Sequence, residues 1–517
     1  MANKINLDAL IPREDFEVKD LDASPTSKSQ NLRITDLAKD SFFLGSLRKP
    51  DFQRETNEWD QSRVVSIIES FLNGDLIPAV ILWKNEAGFT FVIDGAHRLS
   101  ALAAWVNDDY GDGLISKSFY DSIIPDEQLE IAQRLRQKVH KQVGPYSDYL
   151  LAVKSPEKVK AEVVSKSRLF GSLAIQIQWV DGDAKKAETS FFKINQKAAP
   201  IDKTELILLE ARNKPNGIAT RAILRAGKGH KYWSSFTTDV QTEIQSLAEE
   251  INETLFKPSL KTPLKTLDIP VAGQNFSSQA QMLVLEFVNT VNNIEDADGL
   301  KDDLDGTQTL AVLKKCLIIS RLINSNHASS LGLHPAVYFY AGNGRYKPAS
   351  FNFFLHLIMQ LKIRGKLNDF TRAREKLEQI ILDYDDLPRQ IVRKYRTAKK
   401  GTPHVVNFYL QVISHLNSNL EINEVVSKII NSQEFNYLTI KVSDDYLTES
   451  IDFNSDGKSR IFMSEALSNA IKCKICNGYL HRNSISIDHI IRKQDGGIAA
   501  PQNGQLSHPY CNTGYKN

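Results

Sequence analysis

Three short stretches near the end of the chain decide its local fold: Cys473-Lys-Ile-Cys476, Ile487-Asp488-His489-Ile490 and His508-Pro-Tyr-Cys511-Asn512. The first and third each hold two metal-binding residue types three positions apart, and together they bracket an acidic residue and a histidine. Structural zinc sites often take two nitrogen or sulfur ligands from each of two such pairs. We therefore predict a zinc site made by Cys473, Cys476, His508 and Cys511.

A disulfide is the alternative explanation for closely spaced cysteines. The chain shows no secretory signal and has one cysteine, Cys316, far from the others, so a disulfide is disfavoured. The segment of about thirty residues between the two pairs can form a hairpin. So short a segment needs a cross-link or a bound metal ion to stabilise its fold. We expect Cys316, in the apolar helical run 310–323, to be an inert core thiol.

The Asp-His pair between the zinc ligands carries the candidate chemistry. Residues 484–491 alternate polar and apolar side chains, which predicts a half-buried strand. Hydrolysis of a phosphodiester needs a base that activates water and a hard cation that neutralises charge, and a neutral histidine such as His489 can act as the base. The carboxylate of Asp488, with an amide oxygen from Asn503 or Asn512, suits Mg²⁺ or Mn²⁺. An Asp-His pair alone is usually a surface hydrogen bond, but the flanking zinc ligands favour catalysis.

The last 45 residues resemble the HNH, or ββα-metal, endonucleases that carry zinc knuckles. The family pattern of a C-x-x-C pair, a strand ending in Asp-His, a Gly-Gly turn, Asn-x-x-Leu and a second knuckle is present throughout residues 473–512. The resemblance implies that His489 is the general base and that Asp488 and Asn512 bind the catalytic metal. It also implies that Asn503 holds the loop and orients the base. His508 replaces the more usual cysteine, and the final helix is expected to be short.

Composition places this segment in a larger soluble protein. The chain has 517 residues, of which 42% are apolar and 24% charged, so about three domains are expected. The formal net charge is only +2, so any nucleic-acid surface must be a local patch. One basic run, residues 388–400, holds six Lys and Arg and no acidic residue, and it is either such a patch or a solvated helix face. No apolar stretch is long enough for a membrane span, and a cytoplasmic location is expected.

A second candidate site lies near the start of the chain, at Asp94-Gly95-Ala96-His97-Arg98. Residues 79–83 and 89–93 are predicted to form a hairpin, and a helix follows the loop. A strand, a glycine turn and a helix start can bind an anion at free N–H groups, and Arg98 could add a bidentate phosphate contact. Asp94 could hold a metal ion or orient His97. A capped turn with an incidental arginine is the equally weighted alternative.

Residues 42–212 resemble the ParB-like "DGQQR" domain that opens the GmrSD-type restriction enzymes. The similarity rests on Phe52-Gln53-Arg54, the Gly74-x-x-Ile77-Pro78 turn, the loop 93–102 and the element Ser190-Phe-Phe-Lys-Ile-Asn-Gln196. The resemblance implies binding or hydrolysis of a nucleoside triphosphate by Asp94, Gly95, His97, Arg98, Gln53 and Arg54, and gating of a nuclease. Ala96 and His97 stand where the family has two glutamines. This departure weakens the case for nucleotide hydrolysis more than the case for phosphate binding.

The expected class is α+β: a polar arm (1–41), a ParB-like α/β domain (42–212), a helical domain (213–440), a linker (441–458) and a zinc-stapled HNH domain (459–517). Within the helical domain, the aromatic and basic stretch 331–345 either contacts bases or packs helices together.

The predicted function is a metal-dependent DNA endonuclease, gated by the ParB-like domain and acting in restriction of foreign or modified DNA. The alternative is a nucleotide-binding or nucleotide-hydrolysing regulator whose zinc module only binds nucleic acid. A nucleotide ligand, an RNA target and self-association are left open.

Overall fold

The computed structural model describes residues 4–14, 28–50, 59–120, 122, 124, 126–198, 203–228, 231–275, 278–295, 299–440 and 453–516. The chain divides into two compact units, Met1–Arg212 with Lys228–Tyr232, and Asn213–Gly227 with Trp233–Asn517. The helical domain (213–440) and the HNH domain (459–517) were predicted as separate domains. Both belong to the second unit, apart from residues 228–232. The predicted α+β class is confirmed.

The first unit is built on a six-stranded mixed sheet. Its strands are β1 (Arg13–Glu14), β2 (Asn31–Leu32), β3 (Leu47–Pro50), β4 (Val80–Lys84), β5 (Thr90–Asp94) and β6 (Ile175–Trp179), in the order β1-β3-β5-β4-β6-β2. The hairpin β4–β5 is antiparallel, whereas β3 pairs with β5 and β6 pairs with β4 in parallel. The two hairpin strands each lie one residue beyond their predicted positions, and the hairpin itself is as predicted.

Helices cover both faces of this sheet. They are α1 (Phe42–Ser46), α2 (Gln61–Asn73), α3 (Ala96–Asn107), α4 (Leu114–Phe119), α5 (Asp126–Gln142), α6 (Tyr146–Lys154), α7 (Ala161–Ser167), α8 (Ala184–Ala198) and α9 (Lys203–Glu210). Asp60 caps α2 by accepting hydrogen bonds from two backbone N–H groups, and Gly74 ends the helix in the left-handed conformation. Val80 and Leu82 pack with α2 and α3, while Trp83 joins Phe91 and α8 on the other face.

The second unit is a stack of helices followed by a small hairpin. The helices are α10 (Pro215–Leu224), α11 (Thr238–Phe256), α12 (Ser278–Val291), α13 (Thr307–Ile323), α14 (Pro335–Tyr338), α15 (Pro348–Ile363), α16 (Leu367–Asp383), α17 (Asp386–Lys394), α18 (Ala398–Leu416), α19 (Ile422–Ile430) and α20 (Ser455–Ser468). The predicted linker falls largely on residues 441–452, outside the described residues, and α20 begins within its last part.

The C-terminal hairpin pairs β7 (Ser486–His489) with β8 (Gly504–Ser507) in antiparallel register. The short helical turn Cys511–Tyr515 follows and contacts both β7 and α16. We call residues 473–516 the zinc module, and its position on α16 brings the candidate catalytic strand against the helical stack.

Candidate metal centre and active site

The four predicted zinc ligands converge at one end of the zinc module. The ligand atoms of Cys473, Cys476, His508 and Cys511 all lie within 4.8 Å of one another, and all four side chains are buried. Nε2 of His508 donates to the carbonyl oxygen of Tyr479 at 3.1 Å. This hydrogen bond leaves Nδ1 as the ligand atom, 3.4 Å from Sγ of Cys476. The donor set and its spacing fit a tetrahedral zinc ion.

The side chains of this cluster perturb one another's ionisation. Hydrogen bonds from the thiols of Cys476 and Cys511 lower the pKa of Cys473, and the same contacts raise the pKa values of Cys476 and Cys511. Burial lowers the pKa of His508, which keeps its imidazole neutral, the form that binds zinc. Cys316 behaves differently, because burial in α13 raises the pKa of its thiol to about 12. The prediction of an inert core thiol agrees with that environment.

Asp488 lies on β7 directly opposite Gln505 of β8. Its carboxylate is only 4% exposed. Nε2 of Gln505 donates to Oδ2 at 2.7 Å, and Nζ of Lys516 forms an ion pair with the same oxygen at 2.6 Å. Both of these donors reach Oδ2, so Oδ1 is the carboxylate oxygen suited to a cation. Sequence reasoning missed Gln505 and Lys516, because neither belongs to a recognisable motif.

His489 is the last residue of β7, and its side chain is half-buried. The chain bends at the next two residues, so His489, opposite Gly504, forms the last pair of the ladder at the end of the strand. Nζ of Lys516 donates to the carbonyl oxygen of His489 at 2.5 Å. Lys516 therefore contacts both members of the Asp-His pair, through a carboxylate on one and a backbone carbonyl on the other.

Asn503 fastens the loop that follows β7. Its Nδ2 donates to the carbonyl oxygens of Ile491 and Ile498 at 3.1 and 2.9 Å, and its Oδ1 accepts from the N–H of Ile491 at 2.7 Å. Gly497 lies within this loop, where an added Cβ would stand 1.9 Å from the carbonyl oxygen of Ile491. The loop therefore requires glycine at this position and an amide side chain at 503.

Asn512 joins the helical turn Cys511–Tyr515 to β7. Its Nδ2 donates to Oγ of Ser486 at 2.8 Å and to the carbonyl oxygen of Ile487 at 3.2 Å. The predicted second metal ligand thus lies beside the strand that carries Asp488. Its amide oxygen, rather than the nitrogen engaged here, is the atom that could hold a cation.

A buried ion pair on α16 fixes the zinc module to the helical stack. Nε of Arg374 donates to Oε1 of Glu378 at 2.7 Å, and both side chains are at most 2% exposed. The guanidinium of Arg374 also donates to the carbonyl oxygens of Leu331 and Gly332. Oε2 of Glu378 accepts the backbone N–H of Tyr479 at 2.8 Å. This anchor could not be predicted, since the groups that Arg374 and Glu378 bind on Leu331, Gly332 and Tyr479 lie far from α16 along the chain.

The stretch 331–345 packs against the zinc module and does not present its aromatic groups to solvent. Residues 331–340 are all buried. Gly332 has φ +61°, and an added Cβ would lie 2.6 Å from the ring of His508 and from Oγ of Ser484. The ring of His334 contacts those of Tyr479 and His481 edge-on. The packing interpretation therefore holds, and the suggestion that this stretch contacts bases is corrected.

The basic run 388–400 is partly neutralised within its own surroundings. Arg389 pairs with Asp385 at 2.8 Å, and Arg393 pairs with Asp386 at 3.2 Å. Nζ of Lys394 stands 3.5 Å from the ring centre of Tyr437. These contacts agree with the solvated helix face rather than with a nucleic-acid patch in the first half of the run.

In the first unit, the loop 94–98 has the predicted strand–glycine–helix geometry. Gly95 precedes α3 with φ +104°, and a Cβ there would meet Val80 at 2.7 Å. Nη2 of Arg98 donates to Oδ2 of Asp94 at 2.7 Å, and the ring of His97 stacks on Trp59. Asp94 and Arg98 therefore partly neutralise each other. Gln53 and Arg54, the other predicted members of this site, lie outside the described residues.

Comparison with known families identifies both ends of the chain. Residues 34–210 match the family model of the GmrSD restriction endonuclease, N-terminal domain. Residues 473–517 match the HNH endonuclease model. The chain therefore joins a GmrSD-type N-terminal domain to a C-terminal HNH endonuclease domain, as the sequence motifs indicated. Comparison with curated proteins and with solved structures returned no significant match.

These findings support a restriction-type nuclease that acts on DNA. The Cys₃His cluster and the HNH domain together suggest the use of zinc and of a divalent metal. Among the helices that the structure describes, none combines the length and the apolar character needed to cross a bilayer.

Proposed function

We propose that this protein cleaves DNA by metal-dependent hydrolysis at Asp488 and His489, under the control of its N-terminal domain. The observation that carries the proposal is the placement of a buried carboxylate beside a strand-end histidine, on a hairpin held by the Cys₃His cluster. A hydrolytic site needs such rigid support, because small displacements of a catalytic group cost much of the rate.

In this mechanism His489 removes a proton from water as the water oxygen bonds to phosphorus and the P–O bond to the leaving oxygen breaks. Oδ1 of Asp488 and the amide oxygen of Asn512 would hold Mg²⁺ or Mn²⁺, which supplies charge neutralisation at the phosphate and the leaving oxygen. Asn503 holds the loop after β7, so that His489 keeps its position at the strand end. Zinc on the four-residue cluster has a structural role.

The similarity of residues 34–210 to the GmrSD N-terminal domain supports a sensing role for the first unit. In this proposal the α3 N-terminus and Arg98 bind the phosphates of a nucleoside triphosphate, and the bound state permits cleavage of foreign or modified DNA. Asp94 must then release Arg98, since the two form an ion pair in this structure.

The central experiment is nicking of supercoiled plasmid by the full chain. Modified and unmodified DNA are compared, with Mg²⁺ or Mn²⁺, and with or without each nucleoside triphosphate. We expect His489→Ala to slow nicking by roughly 10²–10⁴-fold, the usual contribution of a general base. His415→Ala, a half-buried histidine of α18, is the matched control and should cut like the wild type. Nicking that survives His489→Ala at full rate would refute the assignment.

The reactions with added nucleoside triphosphate test whether the N-terminal domain controls cleavage. If a nucleoside triphosphate stimulates cleavage, Arg98→Ala should abolish the stimulation while basal nicking persists. A nucleotide-hydrolysing regulator predicts the reverse pattern: nucleotide turnover that depends on Asp94 and Arg98, with no cleavage under any metal. The HNH match and the geometry around Asp488 favour the nuclease.

A further inference from the structure

The turn between α15 and α16 is an exposed basic surface. Lys362, Arg364 and Lys366 are all exposed, and no acidic residue lies between them. Gly365 has φ +66°, which allows the tight reversal. None of these three cations has an ion-pair partner in the part of the chain that the structure describes. We call residues 362–366 the basic turn.

A short series of contacts connects the basic turn to the candidate catalytic strand. Two residues after the turn, Oδ1 of Asn368 accepts a hydrogen bond from the hydroxyl of Tyr510 at 2.8 Å. Tyr510 leads into the helical turn Cys511–Tyr515, which contacts α16 on one side and β7 on the other. Asn512 and Lys516 then connect that turn to β7. Asn368, Tyr510 and the helical turn Cys511–Tyr515 therefore connect the basic turn to the strand that carries Asp488.

We infer that the basic turn binds the phosphate backbone of duplex DNA and positions it across the Asp488–His489 site. The inference rests on the proposed function, and it adds a cationic surface next to the helical turn Cys511–Tyr515, which spans only five residues. A chain with a formal net charge of +2 needs a local cationic surface to hold DNA. Duplex DNA carries a charge about every 1.7 Å along its axis, so a strand in the site also offers phosphates beside it.

The chain contains a matched comparison for this surface. Lys399 and Lys400 are also exposed lysines of the second unit, at the start of α18. The opposite end of α18 approaches the basic turn, because Nδ2 of Asn417 donates to the carbonyl oxygen of Asp369 at 3.0 Å. Because 16 or 17 residues of α18 separate the two lysines from its last residue, Leu416, they stand about 25 Å from that end. Replacing Lys399 and Lys400 therefore removes the same amount of charge from the protein, but at a different position.

The test measures binding of a fluorescent random-sequence duplex by the full chain over a range of salt concentrations. Each phosphate contact contributes about 0.9 to the slope of log K against log salt, so Lys362→Ala with Lys366→Ala should reduce the slope by about 1.8. Across a fourfold rise in salt, affinity should then fall about twelvefold less than for the wild type. Lys399→Ala with Lys400→Ala should leave the slope unchanged. Thermal melting confirms that both double variants are folded.

Two outcomes overturn the inference and differ in what they say about the nuclease. If wild-type protein nicks plasmid but both double variants keep its salt slope, or lose it equally, the basic turn is not the phosphate surface and the nuclease assignment stands. If wild-type protein neither binds nor cuts DNA, the proposed function and the inference fail together. Loss of slope confined to the Lys362/Lys366 variant supports the proposed surface.

Discussion

Two arginine–carboxylate pairs, one in each unit, have the same spacing and length but opposite surroundings. Arg98 pairs with Asp94 and Arg374 pairs with Glu378, in both cases four residues apart and at 2.7 Å. The side chains of the first pair are 16% and 33% exposed, whereas those of the second are 2% and 1% exposed. Solvent can therefore partly screen the first pair, whereas burial shields the second from solvent.

This difference separates a local contact from a structural anchor. Ion pairs that water reaches contribute about 0–1 kcal/mol. The Arg98 pair is half-buried, so it should open at lower cost than the Arg374 pair when a ligand competes for its guanidinium. Breaking a buried pair costs about 3–5 kcal/mol, because it leaves an uncompensated charge away from water. Glu378 also accepts the hydroxyl of Tyr338 at 2.9 Å, so its loss would disturb several elements at once. We expect flexibility near Asp94 and rigidity around the zinc module.

The largest effect should come from removing a zinc ligand. Cys511→Ser should cost most of the binding free energy of a structural zinc, about 10–16 kcal/mol for small zinc domains at neutral pH. Native mass spectrometry should then show loss of one zinc ion, and hydrogen exchange should show unfolding of residues 473–516. Cys316→Ser is the control and should retain the metal, since Cys316 lies in α13 outside the cluster. If the Cys511→Ser variant retained its zinc, the proposal that the metal ion stabilises this module through Cys511 would be wrong.

Next in size is the buried anchor itself. Arg374→Met should destabilise the second unit by about 3–5 kcal/mol, because Glu378 stays buried without its partner. Chemical denaturation measures the loss, and hydrogen exchange locates it near Tyr479. Arg372→Met provides a control two residues away on α16, where the arginine side chain is 57% exposed and its Asp369 contact is 3.7 Å. Equal effects of the two substitutions would show that burial does not distinguish these pairs.

The zinc ligands could be predicted from sequence because their spacing is local, and the same is true of the Asp-His strand. The anchor could not, because Arg374 binds carbonyl groups more than forty residues away and Glu378 binds a backbone N–H 101 residues away. Lys516 was missed for a related reason. It is an ordinary lysine in the sequence, and only the return of the chain onto β7 places its ammonium at Asp488.

The pH dependence of stability tests whether His481 of the zinc module is shielded from water. Burial, followed by the charge of Arg482, lowers the pKa of His481 to about 4 from an ordinary value of 6.5. The unfolded chain therefore binds the proton more readily, so His481 contributes no penalty above pH 6.5 and an increasing one as pH falls toward 4. At pH 5 the penalty should be about 2 kcal/mol.

His481→Gln should remove that part of the pH dependence, and the measurement is stability by denaturation at pH 7 and pH 5 for both proteins. Nδ1 of His481 lies 3.2 Å from Nδ2 of Asn324, and a glutamine oxygen can accept the same hydrogen bond. Because the zinc thiolates are common to both proteins, their own acid sensitivity cancels in the comparison. If the variant loses as much stability at pH 5 as the wild type, His481 is not held neutral by burial.

The smallest effect should be at the half-buried Arg98–Asp94 pair. Arg98→Met and Asp94→Asn should each change the stability of the first unit by about 1 kcal/mol, since water partly screens the carboxylate, which is 33% exposed. The two variants should nevertheless differ in anion binding. Asp94→Asn leaves the guanidinium beside the α3 N-terminus without its carboxylate, so pyrophosphate should bind more tightly than to the wild type, while Arg98→Met should weaken it. Calorimetry with pyrophosphate measures both. Identical binding by the two variants would mean that the Arg98 pair is only a helix-start contact, and that the first unit senses its signal elsewhere.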